Sequence, residues 1–320
     1  MAGMARSRKS KNGSRTKSLL DYIAYALARV LLIPVRLLPF WLITPAGRIF
    51  GLTMFFVVHG KYKKIAYKNM DIVYKGEHSW RQKRRLLARS FKEMGANIFI
   101  LVNIKKSLGY IDALYEVRGL EKVAPYVKEG RGFVGVSLHM GLFMLVFQKL
   151  AHFGLGVTYL IRAPKNERMA AFMFDFMAPY GISYVLDKPK RACVAGLLRA
   201  LREGRMVVIM TDIKHSPKEG VWSDFLGNEC VSFAGAALMA KRVGCPVVPF
   251  AVVREERRFV IEFLEPIVAD MGLPVESIVR LYEKRLGRFV FEHPEQWWWL
   301  HDRFRHKRQD EAAENARVLA

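Results

Sequence analysis

Cysteine is scarce in this 320-residue chain: Cys193, Cys230 and Cys245 are the only three, and no two of them stand in a Cys-x-x-Cys spacing. That pattern gives no disulfide framework or zinc knuckle and leaves buried thiols in a reducing compartment as the expectation. The eight histidines show no pairing with nearby acids at ligand spacing, so no metal is expected. Acidic residues are few as well. Only 29 Asp and Glu face 52 Lys and Arg, a formal net charge of +23. Such a balance predicts polyanionic company, whether nucleic acid, anionic lipid or acidic protein. The chain also lacks internal repeats, and no Gly-, Ser- or Pro-rich linker divides it after residue 60.

What is present is apolar material: 52% of the residues are hydrophobic, enough to bury one sizeable core. Its distribution is uneven. Residues 1–18 form a basic tail containing Arg6, Arg8, Lys9, Lys11, Arg15 and Lys17, and residues 19–60 are dominated by Leu, Ile, Val, Phe and Trp. No compact Ala-x-Ala site closes this segment, so cleavage as a secretory signal is not expected. Arg29, Pro34, Arg36 and Pro39 interrupt it, and no window of about 18 residues is free of charge. Helices lying in a membrane interface are therefore expected over a single clean span, with Arg29 and Arg36 sharing a snorkelling face. Nucleic acid is disfavoured as the polyanion, because the aromatic residues sit in apolar runs and no recognition module accompanies the basic ones.

From residue 61 to residue 308 the pattern is that of one soluble domain, followed by a polar tail over 309–320. Residues 61–104 read as helices, with a basic face around Arg81, Lys83, Arg84, Arg85 and Arg89. Strand-like runs then fall at 133–138, 157–162, 207–211, 247–253 and 259–264. Helical patterns fall at 167–180, 191–203, 234–243 and 275–292. The alternation predicts an α/β fold, a central mostly parallel sheet flanked by helices on both faces, with ligands bound beyond the carboxyl ends of its strands.

Three candidate residues fall at such ends. His139 follows an apolar run and precedes Gly141, which permits close backbone approach; a histidine so placed can act as general base toward a hydroxyl, or it can be a satisfied core residue. Arg162, Lys165 and Asn166 follow the next strand and can hold a phosphate or stabilise an oxyanion, or simply form a solvated loop. Asp212 follows Val-Val-Ile-Met-Thr, where a carboxylate is costly without a cation or hydrogen-bond donors. It reads equally as an orienting or a catalytic group.

Taken together and in order, these sites resemble the lauroyl and myristoyl acyltransferases of lipid A biosynthesis, members of the wider lysophospholipid acyltransferase superfamily. The resemblance runs from about residue 19 to residue 308 and rests on several segments: the His139-x-Gly141 region; Tyr159-Leu-Ile-Arg162-Ala-Pro-Lys165-Asn166; Asp212; Phe225-Leu-Gly227 with Ser232-Phe-Ala-Gly235; and Pro246-Val-Val-Pro249-Phe. The most specific is the close, His293-Pro-Glu-Gln-Trp297-Trp-Trp-Leu-His301-Asp-Arg303-Phe-Arg305. The resemblance implies transfer of a fatty acyl chain from an acyl-carrier-protein thioester to a hydroxyl of a lipid A precursor or related glycolipid. It places that reaction at the cytoplasmic face of the inner membrane, with no cofactor. The partners it implies are the acyl carrier protein, an anionic glycolipid acceptor and the membrane. His139 would be the base and Arg162 an oxyanion donor, with Gly141, Lys165, Asn166, Arg303 and Arg305 toward the substrates.

The family carries an Asp or Glu five residues after its histidine, and here that position is Met144. Three arrangements are open. A carboxylate from elsewhere, with Asp212 the leading candidate, orients the imidazole; a backbone carbonyl sets its tautomer; or the chain binds lipid without transferring acyl groups. A formal match to the spacing at His306 to Glu311 lies in a polar tail without a flanking strand or glycine, and is set aside.

Overall fold

In the computed structural model, residues 21–23, 25–27, 29–103, 115–145, 150, 153–177, 183–256, 258–269 and 272–306 are described. The two terminal tails, 1–18 and 309–320, fall outside them, as does the end of the helix expected over 167–180. Helical turns within 21–37 lead into α1 (Phe40–Val57), α2 (Gly60–Val73) and α3 (Trp80–Val102). The α/β body follows: β1 (Tyr115–Arg118), a short α4 (Ala124–Lys128), β2 (Phe133–Ser137), β3 (Val157–Ile161), α5 (Glu167–Met177), β4 (Ser183–Leu186), α6 (Lys190–Arg202) and β5 (Met206–Met210). Its second half comprises β6 (Gly220–Phe225), β7 (Asn228–Phe233), α7 (Gly235–Val243), β8 (Val247–Glu255), β9 (Arg258–Phe263) and α8 (Val275–Glu292).

Seven strands form one sheet in the order β1-β9-β8-β2-β5-β3-β4. β8, β2, β5, β3 and β4 are mutually parallel, and β9 runs antiparallel to β8, so the sheet is mostly parallel as expected. The reason lies in the residues. β2 is buried throughout, and a strand covered on both faces reads as a continuous apolar run. The period of two then deals alternate side chains to two cores. Val134, Val136, Val207 and Ile209 face a layer made by α6, α7 and α8, while Phe133, Met206, Val208 and Phe250 face one that includes Phe99, Ile100 and Tyr126.

Four strands had no counterpart in the sequence reading. β1 and β4 have four residues each, too few to show a period, and β6 and β7 form a separate antiparallel hairpin of mixed polarity. Its two-residue turn is Leu226-Gly227, both with positive φ (56° and 73°), the geometry that suits the twist of a hairpin.

The N-terminal helices are attached to this body through small residues. A capping box, Ser79 with Gln82, starts α3, and α1 crosses it where Gly47 and Gly51 meet Gly95. A Cβ on Gly51 would stand 2.0 Å from the Phe91 carbonyl oxygen, and one on Gly95 2.2 Å from that of Gly47. Arg48, the one charge within α1, is neutralised by Glu93 of α3 at 2.8 Å. Among the described residues α1 is the one helix long and apolar enough to cross a membrane, and little of it is buried. Leu27, Leu31, Leu37, Trp41, Ile49, Phe56 and Val57 are all exposed along this N-terminal surface.

The close crossing yields a prediction. Gly51→Ala forces α1 away from α3, and overpacking of this kind costs about 1–3 kcal/mol. A clear fall in thermal midpoint of the detergent-solubilised protein is the expected result; an unchanged midpoint would contradict the close contact.

Candidate active site

Two neighbouring parallel strands bring the central pair together. In the β2/β5 register Ser137 stands opposite Met210, and the Thr211 amide continues the ladder onto the Ser137 carbonyl at 2.9 Å. Two residues past each strand end, His139 and Asp212 are therefore side by side. Asp212 Oδ1 lies 2.7 Å from His139 Nδ1, and Asp212 Oδ2 accepts from the His139 backbone amide at 2.9 Å. The indole N–H of Trp297 donates to the same Oδ2 at 2.9 Å.

Electrostatics fixes the protonation of this pair. Burial alone would raise the Asp212 carboxyl, yet its attraction to His139, the hydrogen bond from it, the nearby His301 and the Trp297 donor hold it well below the usual carboxylate range. An ionised Asp212 can only accept, so Nδ1 carries the proton and Nε2 keeps its lone pair for a ligand. Burial pulls the His139 imidazole down, but the charge of Asp212 and its hydrogen bond outweigh that and leave it above its ordinary 6.5. His301, its ring centroid 5.1 Å from that of His139, is pushed below 6.5 by burial despite the pull of Asp212. Asp212 pulls both imidazoles up, but only at His139, to which it is hydrogen-bonded, does that pull outweigh burial.

His139 opens onto a cleft of about 160 Å³. One wall is a helical stripe of α3, Phe91, Met94, Asn97, Ile98 and Leu101, at the three- and four-residue spacing that places side chains on one face. The other walls are Leu142, Phe143 and Met144 after β2 and the segment from Gln296 to Leu300. Met144 is thus part of an apolar wall. The cleft is suited to a hydrocarbon chain ending at an imidazole.

The segment after α8 is what closes this arrangement. The Trp298 amide donates to the His139 carbonyl (3.1 Å), the Gly141 amide donates to the Gln296 carbonyl (3.3 Å), and Ser90 Oγ donates to the Trp297 carbonyl (3.1 Å). Asn69, fully buried, donates to the carbonyls of Trp299 and His301. Gln296 pairs both ways with the backbone of Arg254 at 2.7 Å, and the Arg254 guanidinium reaches Asn97 Oδ1 at 2.9 Å. Asn97 Nδ2 in turn donates to the Gly141 carbonyl at 2.9 Å. Gly141 has φ +55°, and a Cβ there would stand 2.2 Å from the Val252 carbonyl oxygen, so this position tolerates only glycine.

The remaining expected residues are placed differently. Arg162 lies at the carboxyl end of β3, with β5 between it and β2; its side chain is exposed and paired with Asp187 at 2.8 Å. Lys165 is exposed, and Asn166 accepts from the Met169 amide at the start of α5 while donating to the Asp21 carbonyl, so its amide side chain is already engaged in joining elements. None of the three lines the cleft with His139. Arg305 is exposed at the end of the described chain. For Arg303 the structure corrects the substrate-binding expectation. Its guanidinium is fully buried and donates to Glu283, Ser232 and the Val231 carbonyl, each at 2.6 Å, which leaves it closed to a ligand. Sequence reasoning passed over Trp297, Gln296, Asn97 and Asn69. The Pro-Glu-Gln-Trp-Trp-Trp run was the visible signal for the first two.

Two predictions follow from these placements. Asp212→Asn removes the attraction that opposes burial, so the His139 imidazole should titrate below 6.5 in place of above it, as read by NMR of labelled histidine. A titration unmoved by the substitution would show that the hydrogen bond does not set the imidazole. Arg303→Ala strands the Glu283 carboxylate in the core, and breaking a buried pair costs about 3–5 kcal/mol. A variant with native thermal stability and weakened substrate binding would reverse the assignment of Arg303.

Comparison with known proteins identifies the family. The family model for bacterial lipid A biosynthesis acyltransferases matches residues 10–306. The chain is also similar to the lipid A biosynthesis lauroyltransferase of Escherichia coli (strain K12), at 21% identity over 252 residues, covering 76% of this chain and 78% of that protein. With a match over nearly its whole length and a strand-end histidine opening onto an apolar cleft, the chain belongs to the bacterial lipid A biosynthesis acyltransferase family.

Proposed function

We propose that this protein transfers a fatty acyl chain from an acyl-carrier-protein thioester to a hydroxyl of a lipid A precursor at the cytoplasmic face of the inner membrane. The observation that carries the reading is the Asp212–His139 pair at 2.7 Å, opening onto an apolar cleft. Nε2 of His139 takes the proton of the acceptor hydroxyl as its oxygen attacks the thioester carbonyl. A tetrahedral oxyanion forms, the carbon–sulfur bond then breaks, and the imidazolium returns the proton to the departing thiolate. No acyl-enzyme is needed. Asp212 stabilises the transient imidazolium and holds the ring in the productive tautomer, the role of the acid in a Ser-His-Asp triad.

The placement of Asp212 also favours the catalytic reading over binding without turnover. That alternative rested on the missing acid at Met144, and a carboxylate reaches the imidazole from the neighbouring strand instead. Membrane association is supported by the exposed apolar surface of the N-terminal helices, which adjoin α3, the helix that walls the cleft. Both proposed substrates are acidic, in keeping with the net charge of +23.

The test is transfer from a labelled acyl-carrier protein to a purified phosphorylated lipid A precursor in mixed micelles. His139→Ala should abolish transfer. Asp212→Ala should lower kcat by about two to four orders of magnitude, as loss of a triad acid does, while Met144→Ala stays within about tenfold, the scale of a small packing change near a site. The wild-type acid limb should inflect above 6.5, because neutral His139 is the active form and its pKa is raised. Wild-type rates in His139→Ala would refute the mechanism.

A further inference from the structure

On the other side of the sheet from Phe133 and Phe250, α6 meets the C-terminal end of α7 in a shallow groove of about 520 Å³. Its floor is aliphatic, made by Val194, Ala195 and Leu198, with Val194 exposed. Its rims are cationic. Arg191, Arg202 and Arg242 line it, all exposed, and among the described residues no carboxylate partners them. At the end where α6 begins, Lys190 pairs with Glu219. Glu219 belongs to the loop that runs from Asp212 to β6, so this end of the groove lies on the carboxyl edge of the sheet, the edge that carries His139 and Asp212.

We propose that this groove docks the acyl-carrier protein, receiving an acidic amphipathic helix so that the thioester arm passes over the carboxyl edge toward His139. The inference rests on the donor assigned under Proposed function. A concave surface with an apolar floor and basic rims complements a helix with an apolar stripe flanked by carboxylates. A bilayer is a poorer fit, since it is flat and would leave the floor unfilled. The exposed apolar surface suited to a membrane is on the N-terminal helices, which do not line the groove.

Charge reversal separates docking from chemistry. The full-length Arg191→Glu/Arg242→Glu variant in mixed micelles should raise KM for acyl-carrier protein by about tenfold or more with kcat within about twofold, as loss of complementary rim charge acts on encounter. Its rate with a carrier-free acyl-pantetheine thioester should equal that of wild type. The KM difference should shrink at high salt, because exposed charges are screened. Equal losses with both donors would mean that the substitutions disturb the site or the fold, and would overturn the proposal, as would an unchanged KM for the carrier. Weaker binding to vesicles containing anionic lipid, with KM unchanged, would assign the groove to the membrane instead. If wild type uses the carrier-free thioester as well as the carrier-bound one, the donor reading itself fails and the docking site falls with it.

Discussion

One buried carboxylate organises this protein. Asp212 is almost wholly withdrawn from solvent, and an ionised group in such a place persists only when its oxygens are met by donors. Three donors meet them, and they come from two distant parts of the chain: the amide and ring of His139 after β2, and the indole of Trp297 after α8. The need to satisfy one anion thus holds the ends of β2 and β5 together and seats the C-terminal segment over them. The geometry of the His139–Asp212 pair and the closure of the fold are the same set of hydrogen bonds.

A second set of contacts carries this order outward to the N-terminal helices. Glu93 of α3 binds Arg48 of α1 on one side and Arg254 of β8 on the other, at 2.8 and 3.2 Å. Arg254 then holds Gln296 and Asn97, and Asn97 holds the Gly141 carbonyl two residues past His139. Because Glu93 and Arg254 are largely shielded from water, these bonds are stronger and less screened than surface pairs. The glycine-mediated crossing of α1 and α3 sets the distances within which this chain of contacts closes. The apolar helix α1 and the loop bearing His139 are therefore joined through one connected set of contacts.

The sequence revealed the sheet better than it revealed the site. Buried parallel strands such as β2, β5 and β8 are legible because burial on both faces demands unbroken apolar runs, whereas the hairpin β6–β7 mixes Trp222, Asp224, Glu229 and Ser232 and has no such signature. His139 and Asp212 both stood out at strand ends. Their adjacency did not, since 73 residues separate them and only the strand order places β5 beside β2. Arg303 was placed toward the substrates by the resemblance, and nothing local announces Glu283, 20 residues earlier on α8, as its buried partner.

The position of the acid has a physical consequence for the cleft. A carboxylate in place of Met144 would stand in the apolar wall, where it would need its own donors or would take up a proton. Asp212 avoids that conflict by approaching from the strand behind the ring. Its charge is met by Nδ1, an amide and an indole, and Asp212 itself does not line the cleft. Met144, unbranched and polarisable, can then fit an acyl chain by side-chain adjustment. A carboxylate on the neighbouring strand reaches the imidazole without entering the cleft lining, so the wall that includes Met144 stays apolar.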